Sequence, residues 1–216
     1  MFDMDGTLID THGLIAEQMA SAFAVAGFAA PEPADVQHVI GLSLPVAIGR
    51  LAGTDDSAVI DRLVNSYKDH YRGSLAREPG REGLYPGARE AVERLHARAG
   101  NLLGIATGKG LAGVNRILAQ HAIADRFVTL QTPDHNPSKP HPGMLLRAMS
   151  GTGAAPHEVV MIGDTSFDME LAKSAGARAI AVGWGYHERE ALLQAGADIL
   201  IESFAEIDAA IAAVLE

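Results

Sequence analysis

Cysteine is absent from this 216-residue chain, which excludes disulfide frameworks, thiolate zinc sites and a thiol nucleophile. Any bound metal must therefore use oxygen or imidazole ligands. Basic residues are scarce: 17 Lys+Arg stand against 27 Asp+Glu, a formal net charge of −10 with His neutral. That excess of carboxylates repels a polyanionic backbone, so nucleic acid is not expected as the main partner. Long apolar runs are missing too. The longest are strand-length, well short of the ~20 residues that cross a bilayer, so no membrane partner is expected. The start, Met1-Phe2-Asp3-Met4-Asp5, carries acid at once and has no basic flank, which is not the pattern of a signal peptide. These absences make a cytoplasmic protein the default expectation. At 48% hydrophobic residues the chain has ample material for a core.

The second half alternates compact apolar runs with helix-like segments. The runs are Leu102–Ala106, Phe127–Leu130, Val159–Ile162, Ala179–Val182 and Ile199–Ile201. Continuous rather than alternating apolarity suits strands buried on both faces, and helices between them predict a doubly wound parallel α/β sheet. From His12 to about Arg72 the chain is instead helix-like. Ile15, Met19 and Phe23 recur at helical spacing with Gly27 as a stop, and Val59, Ile60, Leu63, Val64, Tyr67 and Tyr71 form a second stripe that Gly73 is expected to end. Gly73 to Gly83 reads as a connection. The division expected is an α/β core made of residues 1–11 and 82–216, with a small helical unit, 12–81, inserted after the first strand. That first strand has only Met1 and Phe2 before Asp3, whereas strands run about 5–6 residues; a missing N-terminal stub is expected. The sequence carries no signal for an oligomeric state.

The sharpest chemical signal is Asp3-Met4-Asp5-Gly6-Thr7. Two carboxylates at a strand end can face one site if the chain turns at once, which Gly6 permits. One can attack phosphorus while the other works as general acid and base; a plain Asp-Gly turn is the bland alternative. Thr107 and Gly108 follow a strand and can offer a hydroxyl and an N–H to a phosphate, or simply cap a helix. Lys139, in a Pro-rich polar stretch, can neutralise phosphoryl oxygens. Asp164 directly follows an apolar strand, at the sheet edge where open α/β proteins bind ligands, and Asp168 lies four residues on. Four acids in one cleft need a compensating cation, for which Mg2+ with oxygen ligands is suited.

Four stretches in order carry a resemblance: Asp3–Thr7; Ala106-Thr107-Gly108-Lys109; Lys139-Pro140-His141-Pro142; and Gly163-Asp164-Thr165-Ser166-Phe167-Asp168. Together they resemble the haloacid-dehalogenase superfamily over nearly the full chain, within it the phosphoglycolate phosphatase-like group. The resemblance implies a Rossmann-like core with a helical cap and a Mg2+-dependent phosphatase acting on a small phosphorylated metabolite through an aspartyl-phosphate. It implies Asp3 as nucleophile, Asp5 as acid and base, Thr107, Gly108 and Lys139 on the phosphate, and Asp3, Asp164 and the Asp5 carbonyl on the metal. Asp168 is either a further ligand or stands behind one.

Lys109 is expected at the surface, because the family's phosphate lysine belongs to the third motif. Gly41-Leu42-Ser43, between two helical stretches, are the candidates for choosing the leaving group. Arg50 is expected to be a solvated helix-end residue. Trp184 and Tyr186 are expected to pack as a pair at a strand end, and the nine histidines to be surface or loop residues. A phosphosugar mutase with the same core is the main rival. A dehalogenase has no use for Asp5 and the metal carboxylates, and a non-catalytic phospholigand-binding protein would usually have lost one of the four motif residues.

Overall fold

The predicted parallel strands form, and their continuous apolar runs are covered on both faces. In the computed structural model, which describes all 216 residues, these strands are β3 (Leu103–Ala106), β4 (Phe127–Gln131), β5 (Val160–Gly163), β6 (Arg178–Val182) and β7 (Ile199–Ile201). β3 pairs in parallel with β4, and β5, β6 and β7 pair in parallel in that order. The segment Met1–Asp3 lies between β3 and β5 and joins the two halves. Phe2 N–H donates to the Gly104 carbonyl and Ala106 N–H to Phe2 (both 2.8 Å); on the other side Ile162 N–H donates to Met1 (2.8 Å) and Asp3 N–H to Ile162 (2.9 Å). Three residues thus bond to both neighbours.

Alternate strand residues serve two cores. Ile105, Ile162, Ile180 and Val182 pack with α5 (Ala88–His96), α6 (Leu111–Gln120) and α10 (Ile207–Leu215). Ala106, Met161, Ala179 and Ala181 pack instead with α7 (Gly143–Thr152) and α8 (Ser166–Ser174), while α9 (Arg189–Gln194) connects β6 to β7. Helices on both faces make the sheet doubly wound, as the sequence pattern predicts.

Between the first loop and α5 lie α1 (His12–Val25), α2 (Pro33–Val39), α3 (Leu44–Ala52) and α4 (Ser57–Arg77). They bury a cluster of their own around Leu14, Met19, Phe23, Ile48 and Leu63. Asp56 caps α4 by accepting from Ala58 N–H at 2.9 Å. Contrary to expectation, α4 runs past Gly73 to Arg77. A helical glycine costs only about 1 kcal/mol, and packing of Tyr71 and Leu75 into the helical cluster offsets it. A two-residue antiparallel pair, β1 (Ile9–Asp10) with β2 (Gly83–Leu84), ties the outgoing and returning chain together. It is too short to show periodicity in the sequence. No helix is long and apolar enough to cross a membrane.

Candidate active site

Asp3 ends the central segment, and the chain leaves the extended form immediately after it. The Met4 carbonyl accepts from Thr7, Leu8 and Ile9 N–H at 2.9–3.2 Å, so residues 4–9 form a tight turn. Gly6 has φ +86°, and a Cβ there would strike the Asp164 carboxylate. Only glycine allows that approach. Asp5 comes back to the same cleft, where its Oδ1 accepts from the Thr11 hydroxyl at 2.6 Å.

Three further stretches converge on this turn from the carboxyl ends of the strands. Asp164 follows β5 and accepts from the Thr7 hydroxyl (2.7 Å) and from Tyr186 N–H (3.0 Å). Lys139, from the loop after β4, donates to Asp168 Oδ1 at 2.6 Å and stands 3.0 Å from Asp3 Oδ2. Asp168 Oδ2 accepts from Thr165 N–H and hydroxyl, closing the first turn of α8. Both Asp168 oxygens are thus engaged, which places it behind Lys139 as the residue that orients it.

The electrostatics are severe because Asp3, Lys139, Asp164 and Asp168 are all buried to 1% exposure or less. Burial pushes the Asp3 carboxyl up to about 6, against the pull of Lys139. Asp164 is driven well above the usual carboxylate range by burial and by the charges of Asp3 and Asp168. Burial alone would lower Lys139, but Asp168 and Asp3 outweigh it and hold the ammonium up. One carboxylate oxygen each of Asp3, Asp164 and Asp168 lie within 4.8 Å of one another. Asp3 Oδ2 has no aligned hydrogen-bond donor, the Lys139 ammonium notwithstanding. Three buried carboxylates share one ammonium, so all three can be ionised together only with further positive charge. All-oxygen donors, an orphaned carboxylate oxygen and this charge fit a hard divalent cation such as Mg2+.

Thr107 and Gly108 close β3 beside the carboxylates. The Thr107 Oγ1 accepts from Lys109 N–H at 3.2 Å and its hydroxyl lies beside the Asp3 carboxylate, while Gly108 N–H has no partner within the protein. Over them lies Gly41-Leu42-Ser43, which touches the second and fourth motifs and the residue just before the third. A Cβ on Gly41 would stand 2.9 Å from Thr165 Oγ1, Ser43 N–H donates to Ser138 Oγ at 2.8 Å, and Gly108 faces the Gly41 and Leu42 carbonyls. A Cβ on Gly108 would fall 2.6 Å from Gly41 O. Gly108→Ala is therefore expected to lift this strap, costing about 1–3 kcal/mol in stability and lowering kcat/KM at least tenfold. Thermal denaturation and steady-state kinetics check both; wild-type values in both would separate the strap from the site.

Several expectations need correction. Lys109 is not a surface residue: its Nζ lies 3.2 Å from Asp5 Oδ1, 3.4 Å from the Tyr71 hydroxyl and 5.1 Å from that ring's centre. The turn after β3 aims it back into the cleft, where Asp5 supplies its counter-charge. Trp184 and Tyr186 do not pair, because the chain turns between them. Trp184 packs at a tilt against Phe204 and donates to the Thr7 carbonyl at 3.1 Å, while Tyr186 is buried beside Thr11 behind Asp5. His12 and His187 are not simple surface residues either. His12 packs on Tyr186, and His187 accepts from Ser166 N–H at the start of α8. Arg50 is exposed at the end of α3, as expected, with its guanidinium over Phe167.

Glu82, wholly buried in what reads as a connection, is the functional neighbour that sequence reasoning misses. It accepts from the Tyr71 hydroxyl at 2.6 Å and from both Arg116 guanidinium nitrogens, linking α4 to α6. No local pattern marks it, since its partners are distant in sequence. Thr11 is missed for the same reason, and Thr7, although it stands in the first motif, is given no role by the sequence.

A family model for "Haloacid dehalogenase-like hydrolase" matches residues 1–182. The chain belongs to that family. Among curated relatives of this haloacid dehalogenase-like hydrolase, the "Probable phosphatase IndB" of Dickeya dadantii is 32% identical over 100% of this chain and 94% of its own length. The "Phosphoglycolate phosphatase" of Mesorhizobium japonicum is 31% identical over 88% of this chain and 84% of its own. A hydrolase from Pseudomonas syringae superposes with TM-score 0.86 over 98% of this chain and 96% of its own, at 23% identity, a likeness of fold.

Proposed function

We propose that this hydrolase is a Mg2+-dependent phosphomonoesterase that works through Asp3 on a small phosphorylated metabolite. The observation that carries the reading is the Asp3 carboxylate: buried, paired with the Lys139 ammonium at 3.0 Å, and on the wall of the cavity that also contains Asp5. Asp3 attacks phosphorus, the P–O bond to the alcohol breaks, and the phosphoryl group is held as an aspartyl-phosphate. Asp5 gives a proton to the departing oxygen. It then takes one from the water that attacks the phosphorus, which restores Asp3 and releases phosphate. The Thr107 hydroxyl, the free Gly108 N–H and Lys139 hold the phosphoryl oxygens, so most of the rate gain is positional and electrostatic. Asp3 and Asp164 side chains, with the Asp5 carbonyl, would hold Mg2+. When bound, the ion neutralises charge on the carboxylates and phosphoryl oxygens. Residues 12–81 act as a cap over the core of residues 1–11 and 82–216, excluding bulk water while Asp3 is phosphorylated.

The relatives' names make phosphoglycolate the reference substrate. The test is phosphate release from a panel of phosphomonoesters with and without Mg2+, beside thermal melts. Release is expected only with Mg2+, and saturating Mg2+ is expected to raise Tm by about 5–10 °C at a hundredfold excess over its Kd. Asp164→Asn should lose most of that rise. A Tm indifferent to Mg2+, or no phosphate released, would overturn the reading. Isomerised sugar phosphate in place of phosphate, with a bis-phosphorylated sugar supplied, would make the enzyme a mutase.

A further inference from the structure

The cavity that opens on Asp3 and Asp5 is far larger than a two-carbon leaving group needs. It measures about 560 Å3, inside the range of roughly 300–1,000 Å3 that accepts drug-sized ligands. Beside the carboxylates its walls come from α1, α2 and α4, through Ile15, Met19, Val36, Tyr67 and Leu75, with Ile40 at the end of α2.

Charge along the same walls argues against a second anionic group on the substrate. Of the four cations there, Lys109 is engaged by Asp5, and Arg116 is held by both oxygens of Glu82. Lys68 and Arg72 stand at the exposed rim, where water screens them, and Arg72 already has Asp69 at 3.5 Å. Asp134 adds a negative charge to the lining. A carboxylate on the leaving group would lose its hydration against Ile15, Met19 and Ile40 without a dedicated partner, which is costly. An apolar body there gains from the same burial.

We infer, resting on the phosphomonoesterase reading, that the preferred substrate is the monoester of an alcohol with an apolar body. That body has about six or more carbons, branched, cyclic or aromatic, and lies between α1, α2 and α4. The phosphoryl group is common to every substrate of the site; the apolar wall sets the preference among them.

The test uses the full chain with Mg2+ and a series of n-alkyl phosphates from ethyl to octyl, with phosphoglycolate beside them. Each added methylene that enters the cavity is expected to raise kcat/KM about threefold to fourfold, so hexyl phosphate should exceed ethyl phosphate by about 100-fold. Phosphoglycolate should do no better than ethyl phosphate. Leu75→Gln, at a half-buried position, should flatten the series. A flat or falling series with phosphoglycolate hydrolysed best overturns this inference and leaves the phosphomonoesterase reading intact. So does a slope unchanged in Leu75→Gln together with an unchanged slope in Met19→Gln. Failure to hydrolyse any ester overturns the phosphomonoesterase reading, and this inference with it.

Discussion

Asp3→Asn is expected to lower turnover by on the order of 10^4–10^6-fold while the protein stays folded. The amide matches the carboxylate in shape, so the turn at residues 4–9 and the pairing of Met1–Asp3 with β3 and β5 have no reason to change. It lacks only the anionic oxygen that attacks phosphorus. The charge balance moves in the same direction: Asp3 shares a dry pocket with Asp164 and Asp168, and removing one of three carboxylates relieves their repulsion. The melting temperature without Mg2+ should therefore stay level or rise, even as activity disappears. Phosphate release under steady-state and single-turnover conditions checks the chemistry, and a hydroxylamine-sensitive acyl phosphate should form in the wild type alone. A variant within tenfold of wild type would remove Asp3 from the nucleophile's role. Lost activity with a collapsed melt would mean that the carboxylate is needed for folding.

The sheet was legible because its strands are buried on both faces. Runs such as Val159–Ile162 and Ile199–Ile201 announce themselves without any partner being known, and the structure shifts their ends by only a residue or so. The acids were legible for a related reason: Asp3 and Asp164 directly follow extended segments, with Asp5 and Asp168 close behind them, and the edge of an open parallel sheet brings such positions together. What stayed hidden depends on side-chain direction across long separations. Lys109 reads as a loop-tip cation until the fold brings Asp5 and Tyr71 to it. Tyr186 reads as strand-end packing, yet its hydroxyl lies 3.2 Å from that of Thr11, 175 positions away in the chain. Glu82 sits in a Gly-, Pro- and charge-rich stretch that invites a solvent reading, and only Tyr71 and Arg116 make its burial tolerable. Gly73 misleads in the opposite sense. Its local preference for ending a helix is real but small, and the packing of Leu75 overrides it.

Lys139→Met should be the most damaging change to stability among the site residues, and its expected effect exceeds that of losing any one carboxylate. The ammonium is fully buried, donates to Asp168 and stands 3.0 Å from Asp3, so it is the one protein cation embedded among three buried acids. Methionine keeps the volume and the unbranched stem but leaves those charges without an opposite. Removing one partner of a buried ion pair typically costs 3–5 kcal/mol, which for a chain of this length is roughly 10 °C in Tm. Turnover should fall by about 10^2–10^3-fold or more, because a fixed positive charge facing the transferring phosphoryl group is lost with it. Asp168→Asn in the same protein should restore part of the stability, since it deletes a carboxylate that Lys139 serves and keeps an acceptor for the Thr165 hydroxyl. It should restore none of the activity, because the cation beside Asp3 is still missing. Thermal melts of the two single variants and the double, with kinetics on each, read out the coupling directly. Strictly additive losses would show that Lys139 and Asp168 act independently, and the site would then owe its charge balance to something other than this pair.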